Sequence, residues 1–160
     1  MYFLGNSGQT LIFISAGPSK FSSELVFLGN TNGLSCQGVA DMPKSNFNGI
    51  SLRTEEGNPL FCGGGNLGGY CYEYLPETNS WVIGPNMIGE RDESAYVELP
   101  DGRFWVLGGY DTSDRYTTEY YNQGVFTMGP DLPTEVGSHT GYSCATQIDE
   151  DLTFFAAEKA

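Results

Sequence analysis

Short apolar runs alternate with turn residues along this chain, and one kind of run recurs. LIFISAG ends at Gly17, LFCGG at Gly64, FWVLGG at Gly109 and TFFAA at Ala157, at spacings of 47, 45 and 48 residues. A period in this range marks a repeat architecture. Other positions keep the same step. Leu52, Val97 and Ala145 precede the marker by twelve residues. Asn46, Arg91 and His139 precede it by eighteen, and Leu34, Trp81 and Phe126 follow it by seventeen.

Each unit reads as four short strands. In the copy between residues 46 and 87, GISLRT alternates apolar and polar, so one face is apolar. EEGN is a turn signal. PLFC is a short apolar run that suits a buried strand, and YCYEY is aromatic and alternating. Pro76-Glu77-Thr78-Asn79 turns the chain into SWVIG, a short outer strand. The next copy repeats the plan as SAYVEL, the Asp101-Gly102 turn, FWVL, TEYY and VFTM. Asp-Gly between alternating runs is a strong hairpin signal. No window shows a convincing helical period. Four antiparallel strands per roughly 45-residue unit is the composition of a β-propeller blade. A single blade cannot bury both faces, so blades stack around an axis. Strands nearest that axis crowd together, which favours apolar runs ending in glycines such as Gly63-Gly64 and Gly108-Gly109.

The segment from Leu60 to Arg91, LFCGGGNLGGYCYEYLPETNSWVIGPNMIGER, resembles a kelch repeat. It carries the diglycine, Tyr74, the Glu77-Thr78-Asn79 turn, Trp81, Met87 and Arg91. The copy from Phe104 to Pro133 keeps Gly108-Gly109, Tyr120 and Gly129-Pro130, with Phe126 where the Trp is expected. The first copy has Ala16-Gly17 and Leu34, and the last has Ala156-Ala157. The resemblance, within the wider superfamily of kelch-like and galactose-oxidase-like propellers, implies an all-β fold. It also implies loops on one face that meet protein partners.

At a mean spacing of about 47, the 160 residues hold about 3.4 blades, fewer than the usual four to eight of a closed ring. The expected architecture is a partial β-propeller of about 3.4 kelch-like four-stranded blades. Its units would be 1–43 (partial), 44–88, 89–133 and 134–160 (partial). An open ring exposes strand edges and apolar blade faces, so self-association is expected.

A net charge of −13, with seven Lys and Arg, argues against nucleic acid, whose binding rests on cations neutralising phosphates. It argues equally against anionic membrane surfaces. Neither a signal peptide nor an apolar stretch of membrane-spanning length stands in these residues. The acidic clusters Asp111 with Asp114, and Asp149-Glu150-Asp151, lack calcium-loop spacing. Of the four cysteines, Cys62 and Cys71 flank one strand-to-strand connection, so a local disulfide is geometrically plausible. Buried free thiols are the alternative.

Enzymatic readings meet obstacles. A galactose-oxidase-like copper site needs two histidines besides tyrosines and a cysteine, and the chain has only His139. A serine triad would need the same histidine, and no G-x-S-x-G elbow exists. Gly63 to Gly68 matches G-x-G-x-x-G. A strand comes next, though, where a dinucleotide site needs a helix. The expectation is therefore a non-catalytic protein-interaction module with no cofactor and no metal. Its candidate surface is the loop holding Tyr110, Asp111, Asp114 and Arg115, with Asn66 to Gly69 and Lys20 to Ser22 on the same rim. Tyr and Arg are residue types that carry interface hot spots, which singles out Tyr110 and Arg115. The alternative is a ligand- or carbohydrate-binding propeller, or a galactose-oxidase-like enzyme fragment completed by further blades.

Overall fold

The computed structural model describes residues 40–65, 67–110, 116–133 and 145–148. It also gives the backbone of strand residues 2–4, 10–12, 24–26, 36–38, 144, 149 and 152–156. The strands are β1 Tyr2–Leu4, β2 Thr10–Ile12, β3 Glu24–Val26, β4 Cys36–Gly38, β5 Ile50–Arg53, β6 Pro59–Cys62 and β7 Cys71–Leu75. They continue as β8 Ser80–Ile83, β9 Ala95–Glu98, β10 Phe104–Leu107, β11 Thr118–Asn122, β12 Val125–Met128, β13 Cys144–Asp149 and β14 Leu152–Ala156. There are two four-stranded antiparallel sheets, β5-β6-β7-β8 and β9-β10-β11-β12, and three two-stranded pairs, β1-β2, β3-β4 and β13-β14. The fold is all-β, a partial propeller. No helix among the described residues is long and apolar enough to cross a membrane.

Local chemistry sets the hairpins. Pro59 opens β6, a position where its missing N–H is tolerated. Between β11 and β12 stand Gln123 and Gly124 alone, with φ of 46° and 81°. Two positive φ values define the type I′ turn, whose twist matches that of the strands it joins.

Alternation then divides each sheet into two faces. Ile50 and Leu52 of β5, Leu60 and Cys62 of β6, and Cys71 of β7 point the same way, and all are buried. They pack against Phe104 and Val106 of β10, Tyr121 of β11 and Phe126 of β12 in one core between the sheets. Leu52 and Leu60 are fully shielded, and each contributes about 1.5–3 kcal/mol of burial. The opposite face of the second sheet buries Ala95, Val97 and Leu107, with Trp105, Leu132 and Ala145 packed against them.

The repeat is visible as bonds between equivalent residues of neighbouring sheets. Asn48 Nδ2 donates to Glu93 Oε1 (2.9 Å), Ser51 Oγ lies 3.2 Å from Tyr96 OH, and Arg53 Nη2 donates to Glu98 Oε1 (2.6 Å). Each pair is 45 residues apart. The first strands therefore meet at the inner edge, where β13 also lies against β9. Strands β8 and β12 form the outer edge.

This corrects one expectation. The glycine doublets end the second strands, β6 and β10, and not the innermost ones. Their glycines are required by loops that cross over them. A Cβ on Gly63 would lie 2.6 Å from the Arg91 carbonyl oxygen, and one on Gly64 would meet the Phe47 carbonyl and the Asn46 side chain. Both glycines also have positive φ, 65° and 92°.

Candidate functional site

The first strands enclose a cleft of about 540 Å³ along the inner edge. Ser51 and Arg53 of β5, Tyr96 and Glu98 of β9, and Thr146 and Gln147 of β13 supply its polar wall, and Leu52, Val97, Phe104 and Ala145 its apolar one. Register places Tyr96 and Glu98 beside Val106 and Phe104, on the face of the second sheet that meets the first, so Tyr96 also packs against the core between the sheets. The Ser51–Tyr96 hydroxyl pair stands toward one end and the Arg53–Glu98 ion pair toward the other. That ion pair is half-exposed, with side chains 36% and 45% accessible. Its net strength is modest, and its groups remain open to a ligand. Beyond it a second hollow of about 340 Å³ opens between the β5–β6, β9–β10 and β11–β12 turns.

At the opposite rim lie the loops after the doublets. Tyr110 is half-exposed, and its N–H donates to the Asp92 carbonyl (2.6 Å). Tyr70 and Ile88 are exposed on the same rim. Leu67 is buried, so the loop between β6 and β7 presents Gly68 and Gly69 to the surface region around Glu90. Asn66, Asp111, Asp114 and Arg115 lie outside the described residues, as do Gly17, Lys20 to Ser22 and His139.

Several repeat positions form the frame under that rim. Arg91 is buried and fully engaged. Nε donates to Glu119 Oε1 (2.8 Å), Nη1 to the carbonyls of Gly108 (2.8 Å) and Thr117 (3.0 Å), and Nη2 to Thr117 Oγ1 (2.7 Å). Glu119 also accepts from the N–H groups of Ile88 and Gly89. Asn46, one repeat earlier, makes the matching bond to the Gly63 carbonyl (2.6 Å). Gly108 donates its N–H to the Thr117 carbonyl, and Gly109 has φ of 143° beside Asp92. Trp81 Nε1 donates to the Ala40 carbonyl (2.7 Å), with Phe61 and Tyr74 against its ring. Phe126 packs on Tyr121 at 4.9 Å. Cys62 and Cys71 face each other across β6 and β7 and are joined by a disulfide, with Cα atoms 4.1 Å apart.

Two carboxylates near the Tyr110 loop are poorly served. Asp92 Oδ1 and Glu93 Oε2 are buried without a hydrogen-bond partner. Burial, and next the charge of Glu93, push the Asp92 carboxyl above its ordinary range, against a smaller opposing hydrogen bond from the Glu93 backbone. Burial likewise raises the Tyr74 and Tyr121 phenols.

Sequence reasoning passed over the cleft residues. Their signal was present: Arg53 and Glu98 are opposite charges one period apart in strands whose alternate residues are core.

No protein-family model matches the chain, and no curated protein is detectably similar to it. Among solved structures it is similar to a fungal alcohol oxidase of the AA5 family, determined in complex with copper. The identity is 21% and the TM-score 0.61, over 91% of this chain and 33% of that one. The described residues do not fit a copper centre. They contain no group of three His, Cys, Asp or Glu placed to hold a metal, and the sequence has one histidine. The chain spans about a third of the length of that oxidase, and over that span the two share a fold.

Proposed function

We propose that this chain is a segment of a galactose-oxidase-like propeller that binds a small hydroxyl-rich ligand, carbohydrate in class, in the cleft between its first strands. The observation that carries this reading is the convergence of Ser51, Tyr96, Arg53 and Glu98 on that cleft. A sugar hydroxyl both donates and accepts. A wall that alternates hydroxyls with a guanidinium–carboxylate pair can satisfy many such groups at once. The volume suits a small-molecule site. Binding without catalysis is the favoured reading, because the cleft walls pair no nucleophile with a base. The fold likeness to an oxidase supports a ligand-handling propeller. The residues from Leu60 to Arg91 support assigning the repeats to the kelch type.

Saturation-transfer NMR with neutral mono- and disaccharides tests the proposal. Transfer to the sugar is expected, and Tyr96→Phe should reduce it severalfold. No transfer to any sugar would contradict the reading.

A second reading keeps the protein-partner surface. Tyr70, Ile88 and Tyr110 expose large apolar or aromatic side chains on one rim, where such residues anchor interfaces. If a partner docks there, Tyr110→Ala should weaken it about tenfold or more.

A further inference from the structure

We infer that the ligand of the cleft carries a carboxylate, as a sugar acid does, and that Arg53 is the residue that selects it. This rests on the reading of the cleft as a binding site. Two arginines show the contrast that motivates it. Arg91 spends all three nitrogens on the protein, donating to Glu119, Gly108 and Thr117 from a buried position. It is structural. Arg53 uses only Nη2, for Glu98, and its Nε and Nη1 have no acceptor among the described residues. Its guanidinium is also open to solvent in the cleft wall, and it is the one cation among the lining residues.

A guanidinium with one nitrogen engaged is held in place yet keeps donors to offer. Nη2 carries two hydrogens, and the one that Glu98 leaves pairs with Nε–H or with Nη1–H in the fork that a carboxylate accepts in two parallel bonds. Glu98 keeps its bond to Nη2, so the fork does not swing away when empty. Glu98 itself remains an acceptor for ligand hydroxyls, as the Ser51 and Tyr96 oxygens do. The molecule's net charge of −13 opposes any anion at long range. Selectivity must therefore come from the short bidentate contact and not from steering.

Calorimetric titration of the full chain with glucose and with glucuronate, which differ only at C6, tests the inference. Glucuronate should bind about tenfold tighter, the ratio that one charge-assisted contact supplies. Arg53→Gln should bring the two affinities within about twofold of each other, whatever it costs glucose binding itself. Equal affinities in the native chain, or a preference that survives Arg53→Gln, would overturn the role of Arg53 and leave the cleft reading standing. Binding of neither ligand would overturn both. If Arg53→Gln fails to fold, Arg53→Lys serves instead. It keeps the charge and loses the fork, so the preference for glucuronate should fall severalfold, and an unchanged ratio would overturn the role of Arg53.

Discussion

Arg91 and Glu119 form a buried ion pair, 2.8 Å from Nε to Oε1, that ties the connection between two blades to the third strand of the following blade. Glu119 adds two bonds from Ile88 and Gly89 N–H groups, so one carboxylate fixes the whole connection. The pair is costly to break on one side only, because the surviving charge stays buried without its partner. Arg91→Ala should lower unfolding free energy by about 3–5 kcal/mol in urea titration. A loss below about 1 kcal/mol would show that the pair does not hold the connection.

The Cys62–Cys71 bridge joins residues nine apart in sequence. In the next blade the same position holds Leu107 opposite Thr118, with no bridge. The fold therefore accommodates an unbridged pair at this site. Closing so short a loop restricts the unfolded chain by about 2–3 kcal/mol. Thermal melts of the native chain and of a Cys62→Leu/Cys71→Thr variant should differ by that amount at most, with both cooperative. A variant that does not fold would mean that the bridge sets the packing.

Glycines with positive φ are not equal here. A Cβ on Gly57 would meet nothing within 4 Å, whereas one on Gly64 would meet the Phe47 carbonyl and Asn46 Oδ1 at 2.6 Å. Gly57→Ala should cost about 1–2 kcal/mol, the backbone preference alone. Gly64→Ala adds displacement of a loop and should cost clearly more. Chemical denaturation of both variants makes the comparison, and equal losses would contradict the loop contact.

Asp92 sets a pH dependence. Its carboxyl is raised in the fold, chiefly by burial and next by Glu93. Protonation is therefore favoured in the folded state. The stability this contributes is fully present below the ordinary carboxylate pKa, near 4, and is lost as pH rises through the raised value. Asp92→Asn should melt higher than the native chain at pH 7, and the gap should close near pH 4. A gap of the same size at both pH values would assign the effect to something other than titration.

The architecture was legible because its signals are local. The doublets at Gly64 and Gly109, the Asp101-Gly102 turn and the alternation in GISLRT and SAYVEL each report one strand or hairpin, and their period reports the stacking. Which strand lies at the axis was not local. Apolar runs such as PLFC look innermost. Yet a second strand packed between sheets is as apolar as a strand crowded at an axis, and only the contacts between β5, β9 and β13 separate the two cases. The cleft was hidden for a related reason. Arg53 and Glu98 look like ordinary surface charges on half-polar strands, and their meeting depends on the angle between blades. The buried state of Glu119 was likewise invisible, since a glutamate in TEYY reads as solvent-facing until Arg91 arrives from a distant loop. Tyr110 was legible as an exposed residue, because the turn at Gly108-Gly109 delivers the next side chain to a rim.

The proposed site is the cleft between the first strands. Amide chemical-shift mapping of the full chain during titration with a neutral sugar tests it most directly. Shifts are expected to concentrate at Ser51, Arg53, Tyr96, Glu98 and Gln147, with the loops around Tyr70 and Tyr110 unmoved. Shifts confined to the Tyr110 rim, or none at saturating sugar, would contradict it.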